Sequence, residues 1–326
     1  MSRAARLAAA ALTSASLAMW APATPAQTYP AKPIRIIVPY APGGSTDVLL
    51  RIFAPRLSEV LGQQVLIDNR PGAASIIGLD IVAKSPPDGY TVGIANIAYG
   101  ANPSLYKKMP FDSEKDFAPV GQIAVVTLVL SVHPSVPTRS VKEYIALAKS
   151  QPGSLNYASA GNGSANHLAT ARFAHQAGLS MQHVPYKGGG PAVIAIVGGE
   201  VSTLFATIPS AMSYFKSGRL RALAVSSARR NSALPELPTV AEAGQLPGFE
   251  AIEWQGVMVP AGTPREVIIR LNQAFTKVTS MADVKDKVAG LGADLVSGTP
   301  EEYDAFLKRE LATWSKVVKA VGIKID

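Results

Sequence analysis

Hydrophobic residues occur along the chain in two alternating patterns. Ile34–Val38 is a short, nearly continuous apolar run, which is typical of a buried strand. The next stretch has apolar residues at positions 49, 53, 57 and 61, and this spacing predicts a helix over Ser45–Leu61 with Pro55 inside it. The same order of strand and helix recurs along the chain. Short apolar strands separated by helices indicate an α/β protein with a mainly parallel sheet covered on both faces.

The same criteria place the remaining elements. Strands are predicted at residues 65–67, 90–95, 128–132, 155–158, 183–185, 203–205, 220–225 and 254–259. Helices are predicted at residues 74–83, 141–149 (with Ser140 as the N-cap) and 167–177, and over most of the chain after residue 264, where Pro300 opens the last helix. Two α/β lobes are the natural partition of this order, and the C-terminal helices are free to return to the first lobe.

Residues 1–26 have the layout of a secretory signal peptide. Arg3 and Arg6 provide a positive start, residues 7–20 form an apolar run, and small residues follow up to Ala26. The run is too short and wrongly flanked for a lasting membrane span. The alternative, an amphipathic helix of the mature fold, would need a strongly polar stripe that this run lacks. We therefore expect cleavage near Ala26 and export, most simply to a bacterial periplasm.

Composition narrows the functional classes. With 48% hydrophobic and 17% charged residues the chain is too apolar to be disordered. It has no cysteine, which excludes disulfides, thiol nucleophiles and cysteine-ligated metals. The net charge is +8, and the basic residues that produce it are scattered along the chain. Its densest group, Arg219, Arg221, Arg229 and Arg230, has no interleaved aromatic residues, so a nucleic-acid partner is not expected.

Two strand-to-helix corners carry the most informative chemistry. Residues 40–47 read YAPGGSTD, and residues 159–167 read SAGNGSANH. Each corner places glycine where the backbone turns sharply and then opens a helix with hydroxyl residues. Unpaired N–H groups and the positive end of the helix dipole suit such a corner to an anion, although either corner alone is also ordinary helix-start chemistry. Two similar corners, one in each predicted lobe, favour a shared anion site.

Enzymatic interpretations of these corners find little support. The chain has no nucleotide-binding P-loop motif and no Gly-x-Ser-x-Gly elbow, and residues 161–166 lack the third glycine of a dinucleotide fingerprint. Its four histidines do not have the spacing of a metal site, so we expect no metal and no cofactor. One catalytic alternative stays open, a periplasmic serine hydrolase that uses Ser164 with His167. No third residue is evident to orient this histidine.

Eight short runs occur in a fixed order along the chain, at residues 29–34, 42–47, 68–73, 87–91, 155–161, 183–188, 238–244 and 260–264. Together they span essentially all of the chain after residue 26. In these runs the sequence resembles the Bug-type (TctC-like) periplasmic solute-binding receptors of tripartite tricarboxylate transporters. The resemblance implies a type II periplasmic-binding-protein fold, with crossing strands near residues 126–127 and 254–255. Lobe 1 would comprise residues 27–127 plus 254–326, and lobe 2 residues 128–253.

The resemblance also implies a function and a set of site residues. In this family two glycine-rich corners grip a ligand carboxylate, partly through ordered water, and the lobes close around it. The protein would be a non-catalytic receptor, a monomer, that delivers its ligand to membrane transporter subunits; a sensor for a membrane signalling protein would bind in the same way. Many relatives carry an acid directly after the position of Phe205, and Ala206 here makes an amino-acid ligand less expected. Carried over by position, the ligand-binding residues are Tyr40, Gly43, Gly44, Ser45, Thr46, Asp47, Asn96, Tyr99, Ser159, Ala160, Gly161, Gly163, Ser164, His167, Thr207 and Ser210.

Overall fold

A computed structural model describes residues 29–322, so the predicted signal peptide lies outside the described residues. The strands are β1 (Ile34–Val38), β2 (Val65–Asn69), β3 (Thr91–Asn96), β4 (Phe117–Val132), β5 (Asn156–Ser159), β6 (Gln182–Pro185), β7 (Thr203–Thr207), β8 (Arg221–Val225), β9 (Ile252–Pro260) and β10 (Ala293–Leu295). The helices are α1 (Ser45–Leu61), α2 (Ile76–Ala83), α3 (Ile97–Leu105), α4 (Val141–Ser150), α5 (Ala165–Ala177), α6 (Gly189–Val197), α7 (Ile208–Lys216), α8 (Val240–Gly244), α9 (Arg265–Ser280), α10 (Ala282–Ala289) and α11 (Pro300–Val321).

The strands form two parallel groups joined by long antiparallel strands. The hydrogen-bonded order is β2-β1-β3-β9-β4-β7-β5-β6, with β8 and β10 pairing β4 beside this path. Strands β1, β2 and β3 pair in parallel, as do β5, β6 and β7. The strands that link the two groups, β4 and β9, pair antiparallel with their neighbours, so the sheet as a whole is mixed.

Strand β4 belongs to both groups. Up to Thr127 it pairs with β9, and from Leu128 onward it pairs with β7 and β8. This change of partner lies beside the first crossing that the sequence resemblance implies. Helix α9 packs on α1 and β4, and α11 packs on α3 and β4, so both C-terminal helices lie beside helices that follow strands of the first group. The exact lobe boundaries stay a prediction.

Helix α1 illustrates how the hydrophobic pattern becomes structure. Its buried face includes Leu49, Phe53, Leu57 and Leu61, which are the apolar positions that predicted the helix from the sequence. The helix ends at Gly62, whose φ of 71° is the left-handed conformation that glycine adopts without steric cost. This buried stripe anchors the helix, and with it the corner at its N-terminus.

Three helices near the site were not predicted from the sequence. They are α3, α6 and α7, each nine residues long. Pro103 lies inside α3, and α6 begins Gly-Gly-Pro, so breaker residues mask their helical pattern. Separately, none of the helices in residues 29–322 is long and apolar enough to cross a lipid bilayer.

Candidate functional site

The two predicted corners meet at one small cavity. Its volume is about 20 Å³, which is room for about one water molecule. Because β1 and β5 run in parallel groups, the corners that follow them lie at the carboxyl ends of strands, where open α/β sheets bind ligands. The lining residues are Tyr40, Gly44, Ser45, Thr46, Asn96, Ala160, Ser164, Ala165, Asn166, Gly189, Thr207 and Glu253.

Five of the helices in the described part of the chain begin at residues that line this cavity. The helix-starting residues are Gly44 for α1, Asn96 for α3, Ser164 for α5, Gly189 for α6 and Thr207 for α7. A helix N-terminus carries a partial positive charge and N–H groups that lack intrahelical acceptors. The residues that line the cavity include no lysine or arginine, so these helix starts are its source of positive potential.

In the first corner, Asp47 shapes the loop and leaves the helix N–H groups free. The Gly43 N–H donates to Asp47 Oδ2 at 3.0 Å, and Asp47 also pairs with Arg51 at 3.0 Å. Burial alone would raise the pKa of Asp47, but the hydrogen bonds from Arg51, Gly43 and Asn69 outweigh it and hold this pKa below its usual range. Gly44 provides no side-chain cap, so the N–H groups at the start of α1 remain available to a ligand.

In the second corner, the N–H groups of two loop glycines donate hydrogen bonds to neighbouring side chains. The Gly161 N–H donates to Ser159 Oγ at 3.0 Å, and the Gly163 N–H donates to His167 Nδ1 at 3.0 Å. Both glycines have positive φ, 117° and 88°, which fixes the shape of the turn. The donors left for a ligand are instead the N–H groups of Ala165 and Asn166 in the first turn of α5, which have no backbone acceptor among the described residues.

A stack of rings supports the second corner from behind. The imidazoles of His167 and His183 are parallel with centroids 4.2 Å apart, and Tyr157 stacks on His183 at 4.8 Å. Ser159 Oγ is hydrogen-bonded to His183 Nε2 at 2.6 Å. Burial lowers the pKa of His183 to about 4, and burial together with His183 lowers the pKa of His167 to about 3. Both rings are therefore neutral near pH 7 and act as loop supports.

The hydrolase geometry is not formed. Ser164 Oγ accepts a bond from the backbone N–H of His167 at 3.5 Å, as an N-cap does. The Nδ1 atom of the His167 ring is occupied by the Gly163 N–H. Within residues 29–322 no hydrogen bond joins the serine hydroxyl to this imidazole, and no carboxylate is bonded to the ring. The same residues contain no cluster of three or more His, Asp or Glu side chains that could hold a metal ion.

Glu253 is the site residue that the sequence analysis missed. It lies on β9, is 5% exposed, and accepts hydrogen bonds from Ser45 Oγ at 2.8 Å and from Asn96 Nδ2 at 3.3 Å. Burial raises the pKa of Glu253 to about 7, against the lowering effect of these hydrogen bonds. A sequence signal did exist, since Glu253 is the single charged residue in the strand IEWQGVMVP.

The predicted site residues divide into two groups of equal size. The cavity is lined by Tyr40, Gly44, Ser45, Thr46, Asn96, Ala160, Ser164 and Thr207. Of the others, Asp47, Ser159, Gly161, Gly163 and His167 hold the two loops in shape, as described above.

Three predicted residues lie further from the cavity. The Tyr99 hydroxyl donates to the Ser113 carbonyl, and its ring packs against Phe117 with centroids 6.0 Å apart, so Tyr99 belongs to the core. Gly43 and Ser210 line a neighbouring groove that also includes Gly190.

A third glycine run touches the first corner. The Ala41 N–H donates to the Lys187 carbonyl at 3.1 Å, and Gly188, Gly189 and Gly190 follow at the start of α6. Their backbone lies directly against the first corner, since a β-carbon on Gly44 would be 3.5 Å from the Gly189 nitrogen. We call residues 187–190 the glycine clasp. The sequence analysis did not assign to the site the glycine clasp, Ala165, Asn166 or Glu253.

Comparison with known proteins gives a consistent result. Residues 49–323 match the family model described as the tripartite tricarboxylate transporter family receptor. Protein BugT of Bordetella pertussis is 39% identical over 304 residues, which cover 92% of this chain and 92% of BugT. The solved structure of R. palustris Rpa4515 with adipate is 37% identical with a TM-score of 0.88, covering 91% of this chain and 99% of that one. The structure of MatC from Rhodopseudomonas palustris with bound malate is 29% identical with a TM-score of 0.84, covering 89% and 100%.

Proposed function

Because the chain belongs to the family of tripartite tricarboxylate transporter receptors, we propose that it binds a small dicarboxylate in the described cavity and carries it to a membrane transporter. The observation that carries this proposal is the convergence of five helix N-termini, from both groups of strands, on one cavity. The adipate and malate bound by Rpa4515 and MatC support a dicarboxylate as the ligand class.

The binding energy of such a site comes from neutral donors. A hydrogen bond to a charged group contributes about 1.5–3 kcal/mol, and a helix N-terminus adds about 0.3–1 kcal/mol at an exposed site. A micromolar dissociation constant requires about 8 kcal/mol. The free N–H groups of α1 and α5 together reach that value, whereas one corner alone falls short. Both corners must therefore contact the ligand at the same time.

Binding must also involve opening and closing of the site. The first corner and the glycine clasp are in contact, so they have to separate before a ligand can enter between them. The Ala41–Lys187 hydrogen bond joins the first corner to the glycine clasp and breaks on such an opening. The ligand favours a closed form because that form contacts it from both sides, and the closed surface is what a transporter would recognise.

The remaining parts of the proposal concern export and chemistry. We propose that residues 1–26 direct the protein to the periplasm, where it acts as a monomer and without catalysis. The buried, neutral His167, engaged by the Gly163 N–H, supports a binding role over a hydrolytic one.

The test uses the protein from residue 27 onward, refolded from denaturant to remove any copurified ligand. Malate, adipate, citrate and benzoate are each titrated by calorimetry and by thermal unfolding. We expect malate or adipate to bind, since a ligand at 100 times its Kd adds about 2.7 kcal/mol of stability. No heat and no rise in Tm with either dicarboxylate would refute the proposal.

A further inference from the structure

Glu253 places an acid inside a cavity that is otherwise built for an anion. It is the one charged side chain among the residues that line the cavity, and the same lining includes first-turn residues of α1 and α5 whose N–H groups have no backbone acceptor among the described residues. A ligand carboxylate that reaches those donors in so small a cavity comes close to the carboxyl group of Glu253. Two buried carboxylates at close range repel strongly, since little water lies between them to screen the charge.

The hydrogen bonds of Glu253 come from neutral groups alone. Ser45 Oγ donates to Oε2, and Asn96 Nδ2 donates to Oε1. The orientation of the Asn96 amide is fixed, because its Oδ1 accepts from the Ala98 N–H at 3.1 Å and from the Tyr40 hydroxyl at 3.2 Å. No lysine, arginine or histidine of the described residues forms an ion pair with Glu253. No cation therefore holds this carboxyl group in its ionised form.

The other titratable groups around the cavity do not change charge near pH 7. Burial raises the pKa of Tyr40, so its hydroxyl stays neutral. Asp47 is ionised and paired with Arg51, and the lowered pKa values of His167 and His183 keep both rings neutral. On the opposite face of β9, Glu310 accepts a hydrogen bond from the Trp254 indole. Glu253, with its pKa raised to about 7 by burial, is the group in this region that titrates in the physiological range.

We propose that Glu253 is a ligand-contacting residue that takes up one proton from solvent when a carboxylate ligand binds, so that a neutral acid faces the bound carboxylate. The inference rests on the proposed function. In the complex, the carboxyl O–H donates a hydrogen bond to a ligand oxygen, and the charge repulsion is removed. The ligand class is then an acid without an ammonium group near Glu253, because a cation there would keep the glutamate ionised.

The experiment measures affinity and proton uptake together. The tighter binder of malate and adipate is titrated by calorimetry between about pH 6.5 and 8.5, where the carboxyl groups of both acids stay ionised. Each titration is repeated in two buffers of different ionisation enthalpy, which gives the number of protons taken up. The variant is Glu253→Gln, which replaces the neutral acid by a neutral donor of the same shape. The matched control is Glu250→Gln, which removes an exposed acid three positions earlier.

We expect the Kd of the unmodified protein to rise about 25-fold from pH 6.5 to 8.5, since each pH unit above the pKa of the free site weakens binding up to tenfold. Uptake should approach one proton per ligand at the upper end of this range. Glu253→Gln should bind with an affinity that does not depend on pH and should take up no proton, whereas Glu250→Gln should follow the unmodified protein.

Three results would overturn the inference while leaving the receptor function intact. They are binding by the unmodified protein that is independent of pH, binding that tightens as pH rises, and a pH dependence that survives in Glu253→Gln. Because proton uptake is measured on the unmodified protein, a variant that fails to fold does not prevent the test. If none of the acids binds at any pH, the proposed function itself fails, and the role of Glu253 falls with it.

Discussion

The contact between the first corner and the glycine clasp leads to a prediction about Gly190→Ala. A β-carbon at this position would overlap the Pro42 carbonyl oxygen and lie 3.2 Å from both the carbonyl carbon and the Cα of Gly43. Gly190 is the second residue of α6 and is not among the glycines with positive φ, so alanine suits its own helix. The substitution therefore perturbs the approach of the two loops and little else.

The magnitude follows from packing. Overpacking a close-packed contact costs about 1–3 kcal/mol. This cost falls on the closed form alone, because separating the loops relieves the overlap. Ligand binding, which needs the closed form, should weaken by about 5- to 150-fold. In the unliganded protein the loops can separate, and alanine is preferred to glycine in a helix by up to about 1 kcal/mol. The substitution should therefore lower the free energy of unfolding less in the unliganded protein than in the complex.

The assay combines calorimetry with small-angle X-ray scattering. Binding of the tightest acid found in the ligand test is measured for Gly190→Ala, and the radius of gyration is compared with and without ligand. The control is Gly198→Ala at the other end of α6, where a β-carbon would contact only carbonyl groups of the same helix, the nearer at 3.4 Å. Unchanged affinity and unchanged compaction in Gly190→Ala would refute the claim that these loops approach each other in the bound form.

Two further predictions concern the second corner and the buried acid. Gly161→Val should reduce ligand binding below detection while circular dichroism shows an intact fold. The φ of 117° at this position disfavours valine, and its β-carbon would lie 3.3 Å from the Tyr186 carbonyl oxygen. Wild-type affinity in this variant would contradict the role of the turn in binding. Glu253→Gln should change how stability depends on pH in denaturant titrations. The pKa of Glu253 rises from 4.5 to about 7 on folding, so the contribution of Glu253 to native stability is greatest below about pH 4.5 and is lost as pH rises through 7, by up to about 3 kcal/mol. The variant lacks this loss, so its stability relative to the native protein should increase by that amount between pH 4.5 and 8, and a constant difference would contradict the raised pKa.

The sequence predicted the corners well because their signals are local. The strand Ile34–Val38 and the helix Ser45–Leu61 have the bounds expected from apolar spacing, and the Ser140 N-cap accepts from the Glu143 N–H as expected. Glycine-rich turns that run into helices with free N–H groups can be read from one short window. The position of each corner was therefore accessible before the fold was known.

The rest of the site depends on contacts between distant residues. Glu253 lies 208 positions from Ser45 along the chain, and no local pattern indicates that the two side chains share a hydrogen bond. The N-termini of α3, α6 and α7 reach the cavity only through the order of the strands, and these helices are short. The acceptors of the Gly161 and Gly163 N–H groups could not be read from the sequence for a similar reason. These acceptors, Ser159 Oγ and a histidine ring nitrogen, become apparent only from the three-dimensional arrangement.

The proposed anion site has no lysine or arginine among its lining residues, which has a consequence for transport. A lysine or arginine would attract a carboxylate from either side of an open cleft, because a full charge acts over a Debye length of about 8 Å. Helix N-termini act within about one turn, so their contribution is realised only when both corners touch the ligand. Most of the binding free energy is then gained when the corners close on the ligand. The ligand-bound protein and the closed protein therefore become nearly the same population. A neutral Glu253 is consistent with this arrangement, since a fixed negative charge at the point of closure would oppose the event that a transporter is proposed to recognise.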